Sequence, residues 1–347
     1  MRNALTKNSV PVSIGASENS DGDLIVYADD IITSDNENVY YITMSFLGGG
    51  TFGKVYCVKS SKDKNHYALK ISSLKSDSFE QMKNETDTLA QLNQMSDEIH
   101  ITKMHDCFLY LHHLCCVMEL YNSSIFDLIV NRDYRGFPLI HCQRLLRDIV
   151  HGLRFVHRYN YIHTDVKPEN IAISSSNRGV LIDFGAAGDV SKFSPGMCLE
   201  SLYYRAPEVM LGMRVNQKID IWSLGATIAE VYLGLPIFAG DSEQQVLQLI
   251  QTRIGKFPDA LLQTSVYANR YFDNDNNVII DESFEDPCQF GFPTLDLILR
   301  FAVDEAPTDP LMSFIDLIKH MLEIDPENRY SVENVADHPF IHMKISN

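Results

Sequence analysis

His163-Thr164-Asp165-Val166-Lys167-Pro168-Glu169-Asn170 and, after a short apolar run, Asp183-Phe184-Gly185 decide how this chain is read. An acid, a cation and an amide stand close together in the first segment, and a second acid opens the next. Phosphoryl transfer asks for little covalent chemistry and much positioning and charge neutralisation, and this set supplies both. Asp165 is placed to orient an attacking hydroxyl and accept its proton, and Lys167 to neutralise the transferring phosphoryl group. Asn170 and Asp183 are the candidate metal ligands: Mg2+ takes hard oxygen donors and keeps several waters, so one carboxylate and one amide carbonyl beside nucleotide phosphates suffice. An ordinary polar loop followed by a turn is the bland alternative, and it must explain all four residue types in this order.

Upstream, the run Leu47-Gly48-Gly49-Gly50-Thr51-Phe52-Gly53 precedes Lys54-Val55-Tyr56-Cys57-Val58, and Ala68-Leu69-Lys70 closes another apolar run. The glycines let a strand-turn-strand backbone approach a triphosphate, and Val55 falls where an apolar side chain caps a purine. A dinucleotide fold is the rival reading of G-x-G-x-x-G, but it needs a helix at the third glycine, and the residues after Gly53 read as a strand. Lys70 is aimed at phosphates from a strand edge. Taken alone it is a solvated strand lysine; Glu85, on a predicted helix, is the carboxylate that holds it extended.

The remaining sequence sets bounds. With 347 residues and 45% apolar content the chain builds a sizeable core. No run approaches the ~20 apolar residues that span a bilayer, and the start, Met1-Arg2-Asn3, lacks the apolar core of a secretion signal, so a soluble protein of the cytoplasm or nucleus is expected. The seven cysteines are odd in number and form no C-x-x-C pair, which points to reduced core thiols. The net charge of −17 is concentrated: residues 9 to 39 hold seven acids and no Lys or Arg, and residues 273 to 309 hold ten acids against Arg300 alone. That balance excludes a non-specific nucleic-acid surface and suits basic protein partners; solvated acidic loops are the bland reading.

Residues 1–35 read as an acidic, polar N-terminal extension, partly docked, with Leu24-Ile25-Val26-Tyr27 as a short strand. Residues 36–120 alternate as strands (40 to 47, 54 to 60, 66 to 72, about 104 to 111, 114 to 120) around one helix in 78 to 95, where Phe79, Met82, Leu89 and Leu92 recur at helical spacing. From 121 to 347 helical periodicity dominates, as at Leu145, Ile149, Leu153 and Val156. An insertion spans about 256 to 311, and Asp273 to Asn277 marks a turn or loop in it.

With these residues in place, the chain resembles the eukaryotic protein kinases over residues ~40 to 342. Lys167-Pro168-Glu169-Asn170 is similar to the serine/threonine type. Tyr203-Tyr204-Arg205-Ala206-Pro207-Glu208-Val209, Ile219-Asp220-Ile221-Trp222-Ser223-Leu224-Gly225 and the insertion before Asp325-Pro326-Glu327-Asn328-Arg329 resemble the CMGC group. Asp23-Leu24-Ile25-Val26-Tyr27 and Asp29-Asp30-Ile31 bring it nearest to the dual-specificity tyrosine-regulated, Yak-type branch. The resemblance implies an α+β bilobal fold, with a small antiparallel-sheet N-lobe bearing one main helix and a larger, mainly helical C-lobe. It implies ATP and Mg2+ as cofactors, an ATP site from Leu47 to Gly53 with Val55, Ala68 and Lys70, a gatekeeper at Met118, hinge contacts at Glu119 and Tyr121, and an adenine floor at Ala172. It also implies a buried ion pair between Glu208 and Arg329, and a monomer acting on protein Ser/Thr sites, proline-directed or basic, with no membrane partner.

The chain departs from that pattern in places. Ala172 is smaller than the usual floor residue and predicts a roomier purine pocket. Thr164 stands where many kinases carry Arg, Cys198 where the dual-specificity branch has its activating tyrosine, and Leu202 where it has an arginine. Together these predict an activation segment that is ordered without tyrosine phosphorylation. Glu169 resembles an acid that pairs with an arginine of the substrate. A pseudokinase scaffold is the alternative from another class; missing catalytic residues would be its sign.

Overall fold

The computed structural model describes residues 3–35, 39–50, 53–95, 99–302 and 308–345. Thr51 and Phe52, expected in the nucleotide site, lie outside these residues. Contacts divide the chain into two compact units, residues 1–122 with 183–186, and residues 123–182 with 187–347.

In the first unit, strands β1 (Ile31–Thr33), β2 (Tyr40–Gly50), β3 (Gly53–Ser60) and β4 (His66–Ser72) are followed by helix α1 (Ser76–Met95) and strands β5 (Met104–Tyr110) and β6 (His113–Glu119). They form an antiparallel sheet in the order β1-β2-β3-β4-β6-β5. The alternation of each strand sorts its residues onto two faces. Tyr56, Val58, Leu69, Ile71, Cys115 and Val117 pack on one face with Leu24, Val26 and Ile32 of the preceding segment. On the other, Leu114, Cys116 and Met118 meet Met82 and Phe79 of α1. Met82, Glu85, Leu89 and Leu92 are buried along one stripe of that helix.

The N-terminal residues are therefore structural material for this sheet. Thr6 Oγ1 meets Tyr56 OH at 2.8 Å and donates to the Leu24 carbonyl, and the Gly22 carbonyl accepts from Leu74 N–H at 2.8 Å. Leu24 to Tyr27 do not form the expected strand. Leu24 and Tyr27 make single bridges to Glu18 and Ala4, and the regular strand is Ile31–Thr33, paired with Tyr40 to Ile42. The apolar run is consumed by burial against β3 and β4; its backbone bonds within the extension except at Tyr27, whose carbonyl also accepts Thr43 Oγ1 of β2 at 2.6 Å.

In the second unit, β7 (Ser123–Ser124), α2 (Ile125–Val130), α3 (Leu139–Arg158), β8 (Tyr161–Ile162), β9 (Ile171–Ile173), β10 (Gly179–Leu181) and β11 (Gly188–Asp189) lead into a helical body. That body comprises α4 (Pro207–Met210), α5 (Lys218–Leu233), α6 (Glu243–Arg253), α7 (Asp259–Thr264), α8 (Ala268–Tyr271), α9 (Leu295–Arg300), α10 (Asp309–Met321), α11 (Val332–Asp337) and α12 (Pro339–His342). The periodic residues Leu145, Ile149, Leu153 and Val156 are the buried stripe of α3. Helix α5 is buried almost all round, as a helix at the centre of a core must be, with Trp222 stacked on Phe238 at 5.6 Å. Trp222, Leu224 and Phe340 are core. The α+β fold class expected from the sequence is the one observed. Among the described residues no helix is long and apolar enough to cross a membrane.

Candidate active site

Sheet register places much of the expected nucleotide site on one face of the first unit. Gly48 pairs with Val55, Val55 with Lys70, Lys70 with Cys116 and Ala68 with Met118, so Gly48, Val55, Ala68, Lys70 and Met118 share the face that carries α1. The strand after Gly53 disposes of the dinucleotide-fold reading. The glycines differ in what they permit. A Cβ on Gly53 would lie 2.4 Å from the Ile71 carbonyl and one on Gly49 2.9 Å from the Gly53 carbonyl, so both are needed by the sheet itself; beside Gly48 the space is open. Leu47 is exposed. Glu119 ends β6 exposed, 2.8 Å from His105 Nε2, and Tyr121 is half-buried.

Lys70 is held by two carboxylates of its own unit. Its Nζ donates to Glu85 Oε2 at 2.6 Å and Asp183 Oδ1 at 3.2 Å. Burial disfavours its charge, but the two carboxylates outweigh burial and keep the ammonium above the usual lysine range. Glu85 reaches Lys70 because it lies on the buried stripe of α1. Asp183 adopts a left-handed backbone, φ 61°, which a non-glycine residue occupies only under constraint.

The second unit gathers the other set. Asp165, between β8 and β9, accepts Ser201 Oγ at 2.7 Å on Oδ1, and Lys167 Nζ at 2.8 Å and Asn170 Nδ2 at 2.7 Å on Oδ2. Lys167 also donates to Ser201 Oγ at 2.7 Å. Because Asn170 spends Nδ2 on Asp165, its Oδ1 is the atom that remains for a hard cation. Ala172, in β9, is buried.

One support of this segment and two of residues 200–206 were not assigned from the sequence. Asp220, fully buried in α5, accepts the backbone N–H of His163 and of Thr164, each at 2.9 Å, and His157 Nε2 lies 2.8 Å from it. It thereby fixes Thr164 at φ 65°. Glu200 accepts Ser223 Oγ at 2.5 Å and Ala206 N–H at 2.8 Å, while burial pushes its carboxyl well up. Tyr204 OH donates to Glu230 Oε2 at 2.7 Å; burial raises Glu230 to about 7, the tyrosine opposing the shift and the charge of Glu169 adding to it. Tyr204 and Asp220 lie within motifs quoted from the sequence, Tyr203 to Val209 and Ile219 to Gly225, but nothing in those motifs named their partners. Elsewhere, Arg329 grips Glu208 with both Nη atoms, at 2.6 and 2.8 Å, in the buried pair that was expected.

A model of the protein kinase domain matches residues 41–341. The chain is 33% identical over 385 residues to the probable serine/threonine-protein kinase yakA of Dictyostelium discoideum, covering 98% of this chain and 26% of that protein. It is 30% identical over 369 residues to the serine/threonine-protein kinase ppk15 of Schizosaccharomyces pombe, covering 98% and 69%. With homeodomain-interacting protein kinase 2 of Mus musculus it shares 30% identity over 353 residues, covering 94% and 29%. The chain thus spans about a quarter of the length of yakA and of the mouse protein.

Proposed function

Since this chain belongs to the protein kinase domain family, among relatives of the Yak-type and homeodomain-interacting kinases, we propose that it transfers the γ-phosphate of ATP to serine and threonine hydroxyls of proteins. The observation that carries the proposal is the pair of bonds that hold the Lys70 ammonium to Glu85 and Asp183. Lys70 would bind the α- and β-phosphates, with the open side of Gly48 admitting them and Val55, Ala68, Met118, Glu119, Tyr121 and Ala172 serving the purine. Asp183 and Asn170 would hold Mg2+, which supplies charge neutralisation on the phosphates when bound. Asp165 would orient the substrate hydroxyl and take its proton, displacing Ser201 from Oδ1, and Lys167 would stabilise the charge of the transferred group.

For substrates, the reading is proline-directed sites with a basic residue nearby. Exposed Glu169 and the buried Glu230 behind Tyr204 are close enough for the first to shift the second, so the region gains negative charge suited to an arginine as Glu230 ionises near pH 7. Regulation is read as independent of tyrosine phosphorylation. Cys198 is exposed, and residues 199–206 are held by Glu200, by Arg205 donating to the carbonyls of Leu199 and Glu200, and by Ser201 on Asp165.

The test is transfer of radiolabelled γ-phosphate from Mg·ATP to a basic protein by the purified chain, beside Asp165→Asn and Lys70→Met, with phosphosites mapped. Label lost in both variants supports the proposal. ATP binding without transfer would hand the chain to the scaffold reading, and activity that depends on a phosphorylated tyrosine in the activation segment would sink the regulatory part.

A further inference from the structure

One stretch of the acidic insertion is held in place by a row of glutamines. On α6, Gln244, Gln248 and Gln251 fall on one face. Gln244 Nε2 donates to the Ile279 carbonyl, Gln251 Oε1 accepts Val278 N–H at 3.0 Å, and Gln248 Oε1 accepts Asp281 N–H at 3.0 Å. Gln245 Nε2 adds a bond to Asp281 Oδ2 at 2.9 Å. Val278 is buried beneath, whereas Ile279 and Ile280 are 44% and 56% exposed. Two adjacent branched aliphatic side chains are thus displayed on a backbone whose position is already fixed.

The chain around them carries charge of one sign. No Lys, Arg or His occurs between Arg270 and Arg300, and Asp273, Asp275, Glu282 and Glu285 are exposed around the pair. Two cations that reach this stretch are occupied within it: Arg253 is buried against Asp286 and the Phe290 ring, and Lys256 Nζ donates to the Asp275 carbonyl at 2.9 Å. The segment is also continuous with the candidate site. Ile279 N–H donates to the Tyr271 carbonyl at 2.8 Å, Tyr271 OH to Glu243 Oε2 at 2.6 Å, and Glu243 Oε1 takes Arg205, from the segment that places Ser201 on Asp165.

We propose that residues 278–285 form a docking surface for a basic segment carrying branched aliphatic side chains, contributed by the protein substrate outside its phosphorylated site. Only the identity of the partner as a substrate rests on the function proposed above. A backbone already fixed by these bonds removes part of the ordering cost of binding. The acids speed encounter and make binding salt-dependent, and the isoleucines supply the contact that charge alone does not.

The test is fluorescence anisotropy with the full chain and a fluorescein-labelled peptide of about twelve residues, alternating Arg or Lys with Val or Leu and lacking Ser, Thr and Tyr. Saturable binding is expected, weakened about tenfold by Ile279→Asp with Ile280→Asp, and about tenfold by Glu282→Lys with Glu285→Lys. The aspartates add negative charge, so unchanged or tighter binding in the first variant shows a purely electrostatic association and overturns the proposal. So does loss of binding in Glu169→Ala, which would place the peptide at the phosphorylation site, or failure of the wild type to bind. The readout needs no phosphoryl transfer. A chain that binds through the isoleucines but transfers no label keeps the surface and loses the kinase reading.

Discussion

The carboxylate of Asp220 accepts the backbone N–H of Thr164 at 2.9 Å and holds that residue in the left-handed region next to Asp165. The neighbouring His163 N–H and His157 Nε2 converge on the same buried side chain. Asp220→Ala removes the carboxylate that these donors share, and losing a buried hydrogen-bond partner costs about 1–3 kcal/mol for each group left unsatisfied. A loss of stability above about 3 kcal/mol is expected by urea denaturation, with a smaller loss for Asp220→Asn. A loss under about 1 kcal/mol would mean that the backbone at Thr164 is held by something else.

Lys70→Met removes the cation between Glu85 and Asp183. Phosphoryl transfer is expected to fall at least about a hundredfold, as when a preorganised electrostatic contact to the transition state is lost. Glu85→Gln retains Lys70 but loosens it, and is expected to cost less in rate. Equal rates for wild type and Lys70→Met in the radiolabel assay would remove Lys70 from the chemistry.

Glu230 gives a dependence on pH with a definite sign. Burial raises it from 4.5 to about 7, so the folded state favours the neutral acid. Its contribution to stability is complete below the unfolded value and disappears as pH rises through about 7, a span of up to about 3 kcal/mol. Glu230→Gln should therefore flatten the fall in stability between about pH 4.5 and 7. An arginine-bearing peptide should be phosphorylated with a KM that falls as pH rises through about 7, where the folded carboxyl ionises, a trend absent from the variant. A wild-type KM flat with pH would detach Glu230 from substrate recognition.

Local signals made the sheet legible. Strand limits at 40, 54, 66, 104 and 114 fall within a few residues of the observed ones because alternation along β2 to β6 reflects two buried faces. Glu85 could be placed because it shares a helical stripe with Met82 and Leu89. What escaped the sequence depends on partners far along the chain: Asp220 acts on Thr164, Glu200 on Ser223, and Gln248 on Asp281, and none of these pairs has a local pattern. The turn at Asp273 to Asn277 was legible for the opposite reason, since Asp273 Oδ1 accepts the N–H groups of Asp275 and Asn277, each at 2.9 Å.

The N-terminal segment supplies the last prediction. Leu24 and Val26 are 5% and 1% exposed against Tyr56, Val58 and Leu69, on the sheet face away from α1. Truncating Leu24 to Ala opens a cavity that costs about 2–5 kcal/mol. Because β2 and β3 carry Gly48 and Val55 on the opposite face, loosening this packing should also weaken nucleotide binding with no contact to the nucleotide lost. Leu24→Ala is expected to lower the urea midpoint and raise the KM for ATP, whereas Val12→Ala, at an exposed position of the same segment, should change neither. If removal of residues 1–30 left stability and ATP affinity intact, the segment would be an appendage, and the burial of Tyr56 and Leu69 would need another cover.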